Sequence, residues 1–259
     1  MPPNCLTIPA IGMMNNKSAY KIIAAKVVGA AHRSCGLPCQ DYYQYAYGKN
    51  LIAVLSDGAG SAKYGKIGAR ILCSTLCDIL KNVAFDHIES EIKNAISAAR
   101  QQLVIHRFNF TKNENGLDDF AATLVGVVYH QGKGIFFHIG DGAALSLHSN
   151  NEFRLSRPEN GNFSCETFFF TQSYWKANLR FTRFLQPEVM FLMSDGVTPF
   201  AFQPDFQNIE TKFITPINEF LLSEPNRLKA TRALSNTLNT PRAQKLNPDD
   251  KTLVWIKVA

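Results

Sequence analysis

The chain has 259 residues, 46% of them hydrophobic, with 27 Lys and Arg against 21 Asp and Glu, a formal net charge of +6 and a pI near 9.0. That length and apolar content support one large core or two small ones, no Pro/Gly/Ser-rich linker or repeat divides the chain, and no apolar run is long enough to cross a bilayer. The basic residues form no run, which favours a solvated basic surface suited to acidic partners over nucleic-acid binding.

Residues 1–19 contain Ile11-Gly12-Met13-Met14 but no charged segment followed by a long apolar one. They are expected to form a loosely held extension and not a secretion signal. A single domain is expected over 20–259. Residues 20–30, 42–48 and 51–55 are expected strands of an antiparallel meander. A helix is expected over 62–81, with Ile67, Ile71, Leu72, Leu76, Ile79 and Leu80 on one broad face, and a second over 86–108, with Ile88, Ile92, Ala95, Ile96, Ala99 and Leu103 at helical spacing. Residues 109–119 are polar and expected as a loop. Strands return over 121–129, 134–139 and 143–148, the first two joined by a hairpin turn within Tyr129-His130-Gln131-Gly132-Lys133-Gly134. The aromatic stretch 160–178 (Phe163, Phe168, Phe169, Phe170, Tyr174, Trp175) is read as core before partner surface. A buried strand at 189–193, helices at 214–222 and 227–238, and a last strand at 252–256 complete the chain. Strand blocks with helix pairs between them point to two packed sheets with outer helices.

The six cysteines, Cys5, Cys35, Cys39, Cys73, Cys77 and Cys165, are scattered. Without a secretion signal they are expected to be free thiols in a reducing cytosol. His32, Cys35 and Cys39 lack the spacing and the fourth ligand of a zinc site.

Two acids close strand-like apolar runs and are followed at once by Gly. Residues 51–55 lead into Ser56-Asp57-Gly58-Ala59-Gly60, and residues 189–193 lead into Ser194-Asp195-Gly196. Asp249-Asp250-Lys251 opens the last apolar run, and Asp41 and Asp141 stand in similar settings. One Asp-Gly alone is a turn. Several carboxylates converging at strand ends repel one another unless a cation lies between them. Oxygen ligands without a His or Cys pattern favour Mg²⁺ or Mn²⁺ over Zn²⁺. The chain has no Cys-x5-Arg loop and no Gly-x-Ser-x-Gly elbow that would supply a protein nucleophile.

In order along the chain, Gly29 to Asp41 (ending Pro38-Cys39-Gln40-Asp41), Ser56-Asp57-Gly58-Ala59-Gly60-Ser61, Ala121-Ala122-Thr123-Leu124, His138-Ile139-Gly140-Asp141-Gly142, Ser194-Asp195-Gly196 and Asp249-Asp250-Lys251-Thr252 resemble the motifs of the metal-dependent PP2C-type (PPM) protein serine/threonine phosphatases, in their compact bacterial branch. The resemblance covers roughly residues 20–259. It implies an α+β fold, a four-layer αββα sandwich of two antiparallel β-sheets flanked by helices. It implies hydrolysis of phosphoserine and phosphothreonine on proteins by a hydroxide bridging two Mg²⁺ or Mn²⁺ ions, Asp57 and Asp195 acting through that water. On the same ground Asp57 bridges both ions, Asp195 and Asp249 complete the first ion's shell, and the Gly58 carbonyl serves the second with Asp41 nearby. Asp141 matches a position implicated in a third, weaker ion, with a hairpin turn as the equal alternative. Asp250, where the family often has Asn, is read as capping a loop.

The chain departs from the family pattern in three places. Gln40 replaces a common Glu, which weakens the second ion's site or puts water in between. Ala59 stands where animal members have a His proposed as general acid, so a metal-bound water is expected to protonate the leaving oxygen. The family's phosphate-clamping Arg is absent from its usual place, where this chain has Gly36. Arg33 is the nearest substitute, with His32 as rival. The expected partner is a phosphorylated protein, a Ser/Thr kinase or its target, with no nucleic acid and no membrane. The expected protein is a cytoplasmic monomer. A pseudophosphatase that binds without turnover and a small-molecule phosphatase on the same scaffold are the competing readings.

Overall fold

A computed structural model describes residues 20–110, 116–149, 152–159 and 167–258. Among the described residues ten strands form two five-stranded sheets, with every pairing antiparallel. One sheet has the order β1-β10-β9-β6-β7: β1 (Tyr20–Val27), β10 (Lys251–Val258), β9 (Val189–Met193), β6 (Ala143–Leu147) and β7 (Phe153–Ser156). The other has the order β2-β3-β4-β5-β8: β2 (Tyr42–Tyr47), β3 (Leu51–Ser56), β4 (Leu124–His130), β5 (Lys133–Ile139) and β8 (Arg180–Leu185).

Helices cover both outer faces. The long pair α2 (Gly65–Leu80) and α3 (Ile88–Phe110) lies on the β3-containing sheet. In α2 the buried Ala69, Leu72, Cys73, Leu76, Cys77 and Leu80 recur at helical spacing, and in α3 so do Ile88, Ile92, Ala95, Ile96, Ala99 and Leu103. Both stripes pack on Ile52, Val54, Leu124 and Val128. On the other side, α6 (Thr211–Ser223) and α7 (Arg227–Leu238) cover Val189, Phe191 and Trp255. A third apolar layer, including Leu55, Val125, Phe136, Leu192 and Val254, fills the space between the sheets. The strands β3, β4, β9 and β10 are therefore buried on both faces, which is why they read as continuous apolar runs rather than alternating ones. This is the four-layer αββα sandwich.

Several expected elements take a different form. β1 does not join a meander with β2 and β3. It pairs with β10 along its whole length, from Tyr20↔Val258 to Val27↔Lys251. The first expected strand stops at Val27 because the chain turns at Gly29 into α1 (Ala30–Ser34), a short helix that carries it to the other sheet. The first expected helix begins at Gly65, after a run of turns. Residues 121–123 are not part of β4, which starts at Leu124; they meet the end of β3 and its following loop through the isolated bridge Gly58↔Ala122 and the bonds between Thr123 and Ser56–Asp57. The strands β7 and β8 and the short helices α4 (Trp175–Asn178), α5 (Thr198–Ala201) and α8 (Pro241–Leu246) carry no periodic signal long enough to be read. Cys35, Cys39, Cys73 and Cys77 are free thiols, three of them buried; Cys73 and Cys77 donate to the Tyr42 and Gln44 carbonyls. Cys5, Cys165, Phe163 and the extension 1–19 lie outside the described residues. No described helix is long and apolar enough to cross a membrane.

Gly126 and Phe137 face each other across β4 and β5. A Cβ on Gly126 would overlap the Phe137 ring, which is fully buried. Gly126→Ala is therefore expected to lower stability by ~1–3 kcal/mol through overpacking, read as a lower midpoint in urea denaturation. An unchanged midpoint would show that the ring has room to move.

Candidate metal centre

Strand register brings the acids together. Tyr42 pairs with Ser56, Leu124 with Ile139, Ala143 with Met193 and Val27 with Lys251. Each pair includes a strand end that leads into, or directly follows, one of the acidic motifs, so the loops carrying Asp41, Asp57, Asp141, Asp195 and Asp249 all leave the sandwich at the same end. There Asp57, Asp141, Asp195 and Asp249 line a cleft of about 390 Å³, within the ~300–1,000 Å³ range of small-ligand pockets. Asp41 lies beneath them, fully buried.

Neighbouring polar groups fix these loops. The Asp57 N–H donates to Thr123 Oγ1 (3.1 Å), and its carbonyl accepts from the Thr123 N–H (2.8 Å). Ser56 Oγ donates to the Thr123 carbonyl (2.5 Å). Thr252 Oγ1 donates to Asp41 Oδ2 (2.6 Å), and Thr167 Oγ1 donates to Asp141 Oδ2 (2.7 Å). Lys251, buried completely, donates Nζ to the carbonyls of Asn247 (2.6 Å) and Asp249 (2.8 Å) and so pins the loop that presents Asp249. At Gly58 a Cβ would meet the Gly65 backbone at 2.5 Å. Only glycine lets the start of α2 come this close to the Asp57 loop.

The electrostatics are those of crowded acids. Burial, then the carboxyls of Asp41 and Asp195, push Asp57 well above the usual carboxylate range. Burial, then Asp141 and Asp249, push Asp195 up to about 8. Burial raises Asp41 to about 6 despite the bond from Thr252. Asp141 is also raised, by burial first and by Asp249, with Thr167 opposing. Asp57 stands within hydrogen-bonding reach of both Asp41 and Asp195. Asp41 Oδ1 and Asp195 Oδ1 are buried and lack a hydrogen-bond partner among the described residues. Among the described residues no three acidic, His or Cys side chains already surround one cation position. An all-oxygen set with orphaned buried acceptors, its acids raised by burial and by one another, fits hard divalent cations, whose binding displaces protons.

Of the residues singled out in the sequence, the structure brings Asp41, Asp57, Gly58, Asp141, Asp195, Asp249 and His32 to this end of the molecule, and His32 lines the cleft. It does not bring Arg33 there. Nη2 of Arg33 donates to the Val28 carbonyl and to Asn239 Oδ1, both at 3.0 Å, and the side chain is exposed. One residue further along α1 than His32, it faces away. Asp141 is not in a hairpin turn, because β5 and β6 belong to different sheets and Gly140-Asp141-Gly142 is the crossover between them. Gln40, with its amide nitrogen facing two carbonyls, donates to Gly58 O (2.9 Å) and Ala59 O (3.1 Å). It thus occupies one lone pair of the Gly58 carbonyl. Thr123, Thr167, Thr252, Asn247 and Lys251 were not anticipated as site residues; hydroxyls and a lysine beside acidic motifs were the available signal. Within the aromatic stretch, Phe170 and Trp175 are buried core, Tyr174 is 49% exposed, and Phe169 lines the cleft.

The family model described as Protein phosphatase 2C matches residues 28–246. Serine/threonine-protein phosphatase 3 of Escherichia coli (strain K12) is 25% identical over 254 residues, covering 91% of this chain and 97% of its own. Among solved structures, the serine/threonine phosphatase Stp1 from Staphylococcus aureus superposes with a TM-score of 0.64 at 15% identity, covering 93% of this chain and 94% of that one. The serine/threonine phosphatase of S. agalactiae gives 0.63 at 17% identity, covering 93% and 100%. At these identities the two structures speak for the fold.

Two outcomes follow from the crowding. In the cation-free protein, Asp41 and Asp195 hold their protons up to about 6 and about 8, whereas the unfolded chain releases them near 3.8. The folded state therefore binds more protons between those values, so stability is full below the unfolded pKa and falls as pH rises toward 8. The urea midpoint of chelator-treated protein should drop between about pH 5 and pH 8.5 by this linkage, and a rise over that range would invert the assignment. Gln40→Glu should tighten Mn²⁺ binding by about 10-fold in calorimetry, because it frees the Gly58 carbonyl and adds a charge. Weaker binding would show that the amide supports the site.

Proposed function

The chain belongs to the protein phosphatase 2C family and is a protein serine/threonine phosphatase, and we propose that it hydrolyses phosphoserine and phosphothreonine at the cleft lined by Asp57, Asp141, Asp195 and Asp249 with two Mg²⁺ or Mn²⁺ ions. The observation that carries this reading is the convergence of five aspartates on one end of the sandwich with buried oxygens that no donor satisfies. Asp57 would contribute to both ions, Asp195 and Asp249 to the first, and the Gly58 carbonyl to the second, with Asp41 behind. When bound, the ions neutralise the phosphate dianion and supply hydroxide at neutral pH, together worth several kcal/mol of charge stabilisation.

The protein's own part is placement. Thr252 holds the Asp41 carboxylate, and Thr123 holds the backbone of the Asp57 loop. Asn247 Nδ2 donates to the Asp195 carbonyl (3.3 Å), tying the β9 loop to the β10 loop. Asp141, fixed by Thr167 beside Asp195 and Asp249, is the position for a third, weaker ion. His32, unlike Arg33, stands on the cleft wall. Ser61, Thr123 and Thr167 are the only hydroxyls among the described lining residues, none of them paired with a base in the manner of an activated nucleophile, and Thr167 donates to Asp141. The E. coli relative supports a phosphorylated protein as substrate. A Ser/Thr kinase or its target as partner, a monomeric state and a cytoplasmic location belong to the same proposal.

Turnover of a phosphothreonine peptide should require Mg²⁺ or Mn²⁺ and stop with excess chelator. Asp57→Asn should lower kcat by at least ~100-fold, since even outer partners of metal ligands cost 10–100-fold. It should also unfold at the same or a higher temperature without cations, because one source of repulsion is gone. Undiminished turnover in chelator would remove the ions from the mechanism.

A further inference from the structure

Asp250 accepts from three donors at once. Its Oδ1 receives the Gly29 N–H at 2.7 Å, and its Oδ2 receives the Gln40 N–H at 2.7 Å and His32 Nδ1 at 2.8 Å. The residue is 1% exposed, so water does not share this work. An Asn at 250 could not replace it, because its amide nitrogen would confront one of these N–H groups. The arrangement fixes the imidazole. Facing a carboxylate oxygen, Nδ1 carries the hydrogen, which leaves Nε2 on the opposite side of the ring.

Nε2 of His32 has no partner among the described residues, while the side chain retains 14% exposure and lines the cleft with Asp57 and Asp195. Among the described lining residues, His32 is the only side chain that can become cationic; the other titratable groups are carboxyls. Ala59, on the same wall, has no polar side-chain atom. A carboxyl crowded by other carboxyls is a poor neighbour for a departing alkoxide, whereas an imidazolium held at its far nitrogen can both attract that oxygen and give it a proton.

We propose that His32, oriented by Asp250, protonates the leaving seryl or threonyl oxygen through Nε2; this rests on the phosphatase reading above. A hydroxide oxygen bonds to phosphorus as the bond from phosphorus to the side-chain oxygen breaks. The electron pair of that bond stays on the departing oxygen, which takes the Nε2 proton and leaves as the free hydroxyl. Hydrogen phosphate is the other product. The neutral imidazole keeps its Nδ1 hydrogen toward Asp250 and regains a proton from solvent. In this role His32 is a catalytic residue and Asp250 a positioning residue.

The test compares His32→Gln with the unchanged protein on a phosphoserine peptide and on p-nitrophenyl phosphate, both at saturating Mn²⁺, with Mn²⁺ binding followed by calorimetry. Proton donation is typically worth 10²–10⁴-fold. The variant should therefore lose about 100-fold or more in kcat on the peptide but only a small factor on the aryl ester, whose leaving oxygen is stable without a proton. Mn²⁺ affinity should be unchanged. In His32→Gly, added imidazole should restore peptide turnover. Equal losses on both substrates would make His32 a phosphate clamp and overturn the proposal, as would no loss on either, or lost Mn²⁺ binding that imidazole does not rescue. An unchanged protein that hydrolyses neither substrate would instead sink the phosphatase reading, and this assignment with it.

Discussion

Carboxyl groups that are buried near one another can stay in place only if protons or cations hold them. Asp41, Asp57 and Asp195 are raised by burial and by each other, and Asp57 lies between the other two. The same crowding that makes the site costly when ionised makes it selective for a small, doubly charged ion with oxygen preferences. Much of the surrounding structure answers to this constraint. Lys251 brings a positive charge into a fully buried position, spends its hydrogen bonds on the Asn247 and Asp249 carbonyls, and leaves the carboxylates unpaired for a ligand. Thr252, Thr123 and Thr167 give directed bonds without adding charge.

Such a cluster also demands a rigid support, and the sandwich provides it through strands covered on both faces. The loops at the site pack backbone against backbone. A Cβ on Gly196 would run into the Asp250 carbonyl, so the β9 and β10 loops meet at a distance that only glycine permits. Combined with the Asn247–Asp195 bond, this gives the two acid-bearing loops of one sheet little freedom to part. The acids of the other sheet are tied in by Asp41, which takes its bond from Thr252 of the opposite sheet.

The carboxylates were legible because each sits where a long apolar run breaks, and a charged residue at such a place has few structural explanations. The long helices were legible for a similar reason: α2 and α3 bury one face for many turns. β1 was placed in the wrong sheet because pairing is decided by contacts across the chain, here with residues 251–258, and nothing in 20–30 encodes that partner. β8 is an edge strand, only partly buried, with Arg at both faces, so its sequence lacks the apolar signal of a covered strand. His32 and Arg33 are adjacent, and sequence favoured the guanidinium on general chemistry. The short helix α1 turns one toward Asp250 and the other toward Asn239, a choice that depends on groups more than 200 positions away. Asp250 was expected to cap a loop, and it does so for Gly29 and Gln40; its bond to His32 required the fold.

The pairing of β1 with β10 has a consequence for how the protein comes to be active during its own synthesis. Asp41 and Asp57 leave the ribosome long before Asp195, and Asp249 and Asp250 emerge almost with the last strand. Until β10 slots between β1 and β9, β1 has no neighbour, His32 has no Asp250 to orient it, and Asp41 lacks Thr252. A nascent chain therefore carries an unfinished acid cluster whatever the cation supply. Competence arrives as one late, long-range closure rather than by degrees, so a truncated or stalled translation product would be silent rather than partially active.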